Sequence, residues 1–282
     1  MNASSYTLKR IALFFMVLDH IGVFLFPSIE YFRWVGRFSY PIFLFVFVNS
    51  IDYTSNKKMF VTRIWLFGAG ISILEYVIRV CTDSEVYVDN NIFGTYFALF
   101  LCISIIEWCR KEQRILPVLL YLIWQALNVY LIMYPFDRFD RLWAVMTGNL
   151  FFNEGSFFAI LLGIVLYYTK GSKKKMGICF SLVIFMDGFM FLAQIPLKIC
   201  VWLEYFHLYR ISEVCDTLFA IFGYDFLFAN YSYEWLAVGA LPFLLSYNGE
   251  KGSGNKYFFY WFYPLHIFLL AFLGNYISYG YV

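Results

Sequence analysis

Long apolar stretches separated by short polar ones run through the whole chain. Runs of about 20 mostly apolar residues, the length that crosses ~30 Å of hydrocarbon, occupy 9–27, 33–52, 61–80, 92–109, 115–134, 150–169, 176–197, 233–247 and 257–278. The eighth is short. Residues 198–232 mix aromatics with charges, are too interrupted to span, and read as a re-entrant or interfacial helix. The pattern shows no convincing repeat, Pro- or Ser-rich linker or soluble domain. It predicts one all-α membrane domain over 1–282, a polytopic bundle of about nine transmembrane helices.

Composition sharpens this. The chain is 62% hydrophobic and 24% aromatic, only 14% of it is charged, and its mean hydropathy is +0.67. A soluble domain carries ~25% charged residues. The lipid bilayer is therefore the first partner, and no nucleic-acid partner is expected. The first apolar run is long enough to span and lacks a small-residue cleavage site after it, so no removable signal is expected. Cysteines 81, 102, 109, 179, 200 and 215 are scattered without metal-ligand spacing, and no metal is expected.

The loops orient the bundle. "TSNKKM" (54–59), "CRKEQR" (109–114), "KGSKKK" (170–175) and "NGEKGSGNK" (248–256) are basic. The alternate loops "CTDSEVYVDNN" (81–91) and "PFDRFDR" (135–141) are acidic or balanced. About two thirds of the 21 basic residues then fall on one side, which places the N-terminus inside by the positive-inside rule.

With that orientation the polar residues gain depth. Asp19 and His20 sit within the first apolar run, where a charge costs at least ~2.5–3.5 kcal/mol. Arg37 opens the second segment four residues after Arg33. Glu75 and Arg79 lie in the outer half of the third, Asn91 and Thr95 open the fourth, and Glu154 opens the sixth. Asp187 and His266 lie near the middles of their segments. Most of these residues share the outer half of the membrane, which implies a polar cavity. Neighbours on a helix point about 100° apart. Asp19 is therefore not expected to orient His20, but to pair with an arginine of another helix, Arg37 being the candidate. His20 turns separately into the cavity, with a side chain suited to a general base. On the inner side, "YNGEKGSGNKY" (247–257) with Arg63 and Lys57–Lys58 offers lysines and loop N–H groups to phosphate.

The stretches "LKRIALFFMVLDHIG" (8–22), "FRWVGRFSYPIFLFVFV" (32–48), "YTSNKKMFVTR" (53–63), "NIFGT" (91–95), "WLAVGALPFLLSYNGEKG" (235–252) and "KYFFYWFYPLH" (256–266) resemble the TraX family, known from conjugative-pilus systems and from relatives across bacteria. Ser39 stands where that pattern has Ala, and residues 105–150 and 176–232 carry little that matches. The resemblance implies a membrane acetyltransferase of the bacterial cytoplasmic membrane. Its donor would be cytosolic acetyl-CoA. Its acceptor would be an amine or hydroxyl presented outside, on a peptide N-terminus, a glycan or a small molecule. On that reading His20 is the base and Asp19 with Arg37 its supporting ion pair. His266 is a second catalytic histidine or polarises the thioester carbonyl. Glu75, Asn91, Thr95 and Glu154 bind the acceptor, and Arg63, Asn248, Lys251 and Lys256 hold the CoA phosphates. The alternative is a proton-coupled exporter of a small metabolite or lipid that uses Asp19 and His20 as a relay.

Overall fold

The computed structural model describes residues 2–82, 91–135, 139–224 and 233–279; among these the chain is helical, with no β-strand. Helix α1 (Ser5–Phe24) begins where Ser4 accepts the Thr7 N–H, the hydroxyl cap that helix N-termini favour. Its interior face carries Leu8, Ala12, Met16, His20 and Phe24, one every fourth residue. His20 therefore lies on an otherwise apolar buried stripe. Helix α2 (Glu30–Gly36) lies directly against α1, because a Cβ at Gly36 would collide with the Asp19 side chain.

The apolar run 33–52 reads as one span, but the structure breaks it at Arg37–Phe38 and restarts it as α3 (Ser39–Tyr53). Pro41 explains the break. In a continuous helix its ring would strike the carbonyl of residue 37, and its missing N–H would leave that carbonyl unbonded. With α3 starting at Ser39, the proline falls in the first turn, where it needs no donor. Helices α4 (Lys57–Thr82) and α5 (Ile92–Glu112) follow.

Helix α6 (Leu116–Met133) is turned inside out relative to a soluble helix. Leu119, Leu120, Leu122 and Ile123 are exposed, while its buried positions are Gln125, Asn128 and Ile132. That face needs lipid outside. Its polar side grips the next segment: Gln125 donates to the Gly148 carbonyl at 3.1 Å and accepts the Leu150 N–H at 3.0 Å. Asn128 accepts from the Trp143 indole at 3.2 Å. Helix α7 (Asp140–Thr147), unforeseen in a stretch read as loop and span edge, and the irregular segment 148–155 are fixed in this way. The run 150–169 consequently becomes helical only at α8 (Ser156–Thr169).

Helix α9 (Lys173–Leu192) ends before the predicted 197, at the left-handed Gln194 (φ 50°), and Pro196 opens α10 (Ile195–Tyr205). With α11 (Tyr209–Ile221) this forms a hairpin of 11 and 13 residues, too short to cross, as the interruptions in 198–232 suggest; residues 225–232 lie outside the described ones. The short eighth run is a 3₁₀ helix (Glu234–Ala240) leading into α12 (Leu241–Leu245). Helix α13 (Lys256–Tyr279), with Pro264 inside it, closes the bundle against α1.

Among the described residues six segments are long and apolar enough to cross a membrane: Glu30–Tyr53, Lys57–Val77, Ile92–Glu112, Leu116–Met133, Lys173–Leu192 and Tyr257–Gly274. At 20 residues, α1 is about 30 Å long and reaches equally far. This is a multi-pass membrane protein.

Candidate functional site

Helix α1 carries Asp19 and His20 on different faces, and the two go to different partners. Asp19 accepts from Arg33 of α2 at 3.1 Å. Arg37 instead pairs with Glu234 at the start of the 3₁₀ helix, also at 3.1 Å. The expected Asp19–Arg37 bond is thus replaced by two separate ion pairs. Arg33 lies on the turn of α2 that faces α1. Arg37 follows Gly36, at the end of that helix, and reaches the chain's distant eighth apolar run.

His20 turns to α13. Its Nδ1 lies 2.7 Å from Nε2 of His266, and the two residues are only 3% and 7% exposed. The Nδ1 of His266 lies 2.8 Å from the Phe262 carbonyl. A carbonyl only accepts, so that nitrogen carries the proton and Nε2 of His266 is an acceptor. His20 must then donate through Nδ1, which leaves its own Nε2 unprotonated. A carbonyl–imidazole–imidazole chain fixes the His20 tautomer, as second-shell bonds commonly do for functional histidines. His266 thus positions His20, a part the sequence reading considered only for Asp19.

A cavity of about 480 Å³ opens beside this pair, lined by Asp19, His20, Arg37, Glu154, Asp187 and Glu234 among others. Asp187, in the C-terminal third of α9, accepts from the Tyr224 hydroxyl at 3.2 Å. Glu154 accepts from the Tyr263 hydroxyl at 3.2 Å. Gly155 (φ 77°) and Ser156 (φ 51°) both hold left-handed backbone just after it. For a serine that is uncommon, and the sharp turn it makes aims the carboxyl inward. Glu154 lies on the connection before α8, outside the spanning helices, and burial pushes its carboxyl up to about 7. Four buried polar atoms of residues lining this cavity have no hydrogen-bond partner among the described residues: Asp19 Oδ1, Arg37 Nε, Tyr40 Oη and Ser156 Oγ.

A second cavity, of about 250 Å³, lies toward the other end of α1. About half of its lining residues are aromatic, including Phe43, Phe47, Phe93 and Tyr96, with Phe47 and Tyr96 stacked at 4.2 Å. Lys9, Arg63 and Lys251 supply its cations. Met16, two turns beyond Lys9 and one turn before His20, is the one described residue that lines both cavities.

The remaining candidates divide. Arg63 and Lys251 line the second cavity as the sequence suggested; Lys9, an unremarked member of the basic N-terminus, joins them. Asn248 lines neither cavity, and its side chain folds onto Glu250. The loop's carbonyls bind the N-terminal segment, with Ser5 N–H donating to Glu250 and Tyr6 N–H to Lys251. The structure therefore shows that loop holding the N-terminal segment, and its lysine side chain reaches the cavity. The side chains of Lys256 and Arg79 lie outside the described residues. Asn91 caps α5 and donates to Gly68 and Ser72 of α4, both at 2.8 Å. Thr95 donates to the Glu154 carbonyl at 2.8 Å. Both scaffold the site without lining it, because their hydrogen bonds go to neighbouring helices and loops. Glu75 lines neither cavity. Arg33, Glu234 and Tyr263 are partners in the site that the sequence does not mark as such. Arg33, one turn before Arg37, and Tyr263, one turn before His266, were visible as same-face neighbours. Nothing local marked Glu234.

A family model described as TraX protein matches residues 4–274. No curated protein and no solved structure matches the chain.

Proposed function

The chain belongs to the TraX family, and from that premise and its two cavities, which share Met16 one turn from a histidine pair, we propose that it transfers an acetyl group from acetyl-CoA to an amine or hydroxyl across the membrane. The observation that carries the reading is the division of labour along α1. Lys9, Arg63 and Lys251 suit phosphates, and the aromatic slot suits a thin, largely apolar arm. From Lys9 to His20 is 11 residues of helix, about 16 Å, so a pantetheine arm entering at the cations brings its thioester to His20. The ionic cavity beyond, with its unbonded polar atoms, suits a polar acceptor. In this reading the N-terminus and the cations face the cytosol, as the positive-inside rule favours, and the membrane is the bacterial cytoplasmic one.

The chemistry follows from the His20 tautomer. The acceptor nitrogen or oxygen attacks the thioester carbonyl carbon while His20 Nε2 takes its proton. The C–S bond breaks, and His20 returns that proton to the departing thiolate. His266 holds the ring in place and shares the positive charge through the 2.7 Å bond. Glu154, Asp187 and Arg37 orient the acceptor.

The test is purified protein with acetyl-CoA carrying a labelled acetyl group, offered short peptides with free and blocked N-termini and an aminosugar. The expected result is CoA release coupled to label on one acceptor class, lost in His20→Ala. Failure to bind acetyl-CoA by calorimetry, together with proton-driven flux in proteoliposomes, would install the exporter reading instead.

A further inference from the structure

The two cavities are separate, yet the proposed transfer needs a carbon from one and a nucleophile from the other at the same imidazole. Among the described residues, Met16 alone lines both cavities. It is 6% exposed and belongs to the α1 stripe that also carries Ala12 and His20. We infer that the Met16 side chain is the gate between the cavities, closed at rest and displaced when an acceptor occupies the ionic cavity; this rests on the donor and acceptor assignment above.

The residue type fits the task. Methionine is unbranched, with three rotatable bonds and an adaptable thioether, so it is able to swing without moving its helix. The rest of the partition is held. The Tyr263 ring lines the donor cavity, and its hydroxyl is bonded at 3.2 Å to Glu154, which lines the acceptor cavity. Tyr263 also accepts the Ile92 N–H at 3.3 Å. One side of the passage is thus pinned by hydrogen bonds, and the other is a flexible apolar chain. A gate is needed because His20 does not distinguish nucleophiles. With the passage open and no acceptor bound, water attacks the thioester carbonyl carbon and His20 takes its proton. The C–S bond then breaks to give acetate and free CoA thiol. Closure by Met16 until an acceptor fills the ionic cavity keeps water from the seated thioester and limits this loss.

The experiment has two arms. In the first, Leu13→Cys, which lies in the donor cavity, is the single thiol in a chain whose native cysteines are serine. A charged methanethiosulfonate is applied to vesicles from the face opposite Lys251. Leu13→Cys should label at least tenfold faster when Met16→Ala is added, and no faster with Met16→Leu. Equal labelling with and without Met16→Ala overturns the gate, and it does so whatever the protein's chemistry. In the second arm, acceptor-free hydrolysis of acetyl-CoA should rise several-fold in Met16→Ala. Met16→Trp should stop transfer while retaining CoA binding. Transfer at the wild-type rate in Met16→Trp also overturns the gate. If Met16→Ala does not accumulate, Met16→Val takes its place in both arms, and Met16→Trp is read unchanged. Wild-type protein that neither binds nor cleaves acetyl-CoA defeats the acetyltransferase reading alone, and the labelling arm still judges the gate.

Discussion

On the His20 side of Met16 the cavity wall is built from ionisable groups each held by a polar partner: Asp19 by Arg33, Arg37 by Glu234, Glu154 by the Tyr263 hydroxyl and Asp187 by the Tyr224 hydroxyl. On the Lys251 side the wall is stacked rings with three cations. The first kind of wall fixes geometry, since each buried charge has a defined partner and loses much if moved. The second fixes only a shape and a sign of charge. A site for chemistry needs the former, whereas a site that holds a donor by its far end needs only the latter. Substitutions on the ionic side should therefore be costly and specific, and those on the aromatic side graded.

The sharpest contrast is in rate. His20→Ala should cut transfer by ~10²–10⁴-fold, the usual worth of a general base, with CoA affinity unchanged by calorimetry. His266→Ala should lower transfer less and also move its pH profile, because the group that sets the His20 tautomer is gone. If His20→Ala weakens CoA binding as much as it slows transfer, the two sides are not distinct.

Next in size is a pH effect on stability. Glu154 has an ordinary value of 4.5 raised to about 7, chiefly by burial. Between those values the folded protein keeps a proton that the unfolded chain has released. Stability therefore falls as pH rises through that window, by about 3 kcal/mol in all. Thermal midpoints in detergent at a fixed heating rate should drop from pH 4.5 to 7, and Glu154→Gln should flatten the slope.

The ion pair comes third. Breaking a fully buried pair costs ~3–5 kcal/mol. The Arg33 and Asp19 side chains keep 32% and 16% of their exposure, so Asp19→Ala should cost about 1–3 kcal/mol. Replacing Arg33 as well should recover part of that, and replacing Arg37 should not. Recovery through Arg37 would show that the pairing is wrong.

The aromatic side should give the smallest change. Arg63→Ala with Lys251→Ala should weaken acetyl-CoA binding only several-fold, since exposed charge pairs are worth ~0.2–1 kcal/mol each. The deficit should shrink as salt rises, with screening beyond ~8 Å at physiological ionic strength. A salt-independent deficit would point to a packing role.

The same division governs what the sequence made legible. Each of the nine apolar runs meets a helix, because a 20-residue stretch declares itself locally, but the breaks inside 33–52, 150–169 and 233–247 were not legible in the same way. The divergence of Asp19 and His20 followed from helical geometry alone. Partner identity did not follow, because Arg37 meets Glu234 across nearly 200 residues of chain, a matter of packing that no local pattern records. Asn91 and Thr95 looked like ligands for an equally physical reason: a polar residue at the start of a spanning helix serves either as a cap or as a contact, and composition does not separate the two. The inverted face of α6 was readable in hindsight, as Gln125 and Asn128 interrupt an otherwise apolar helix.

The histidine bond joins residues 246 positions apart, one on the first helix and one on the last. At a synthesis rate of ~5–20 residues per second, about 12–50 s separate their emergence from the ribosome. Throughout that interval the nascent chain has one imidazole in the membrane without its counterpart. The paired imidazoles come together only once α13 docks on α1, so translation itself sets the earliest moment at which this arrangement exists.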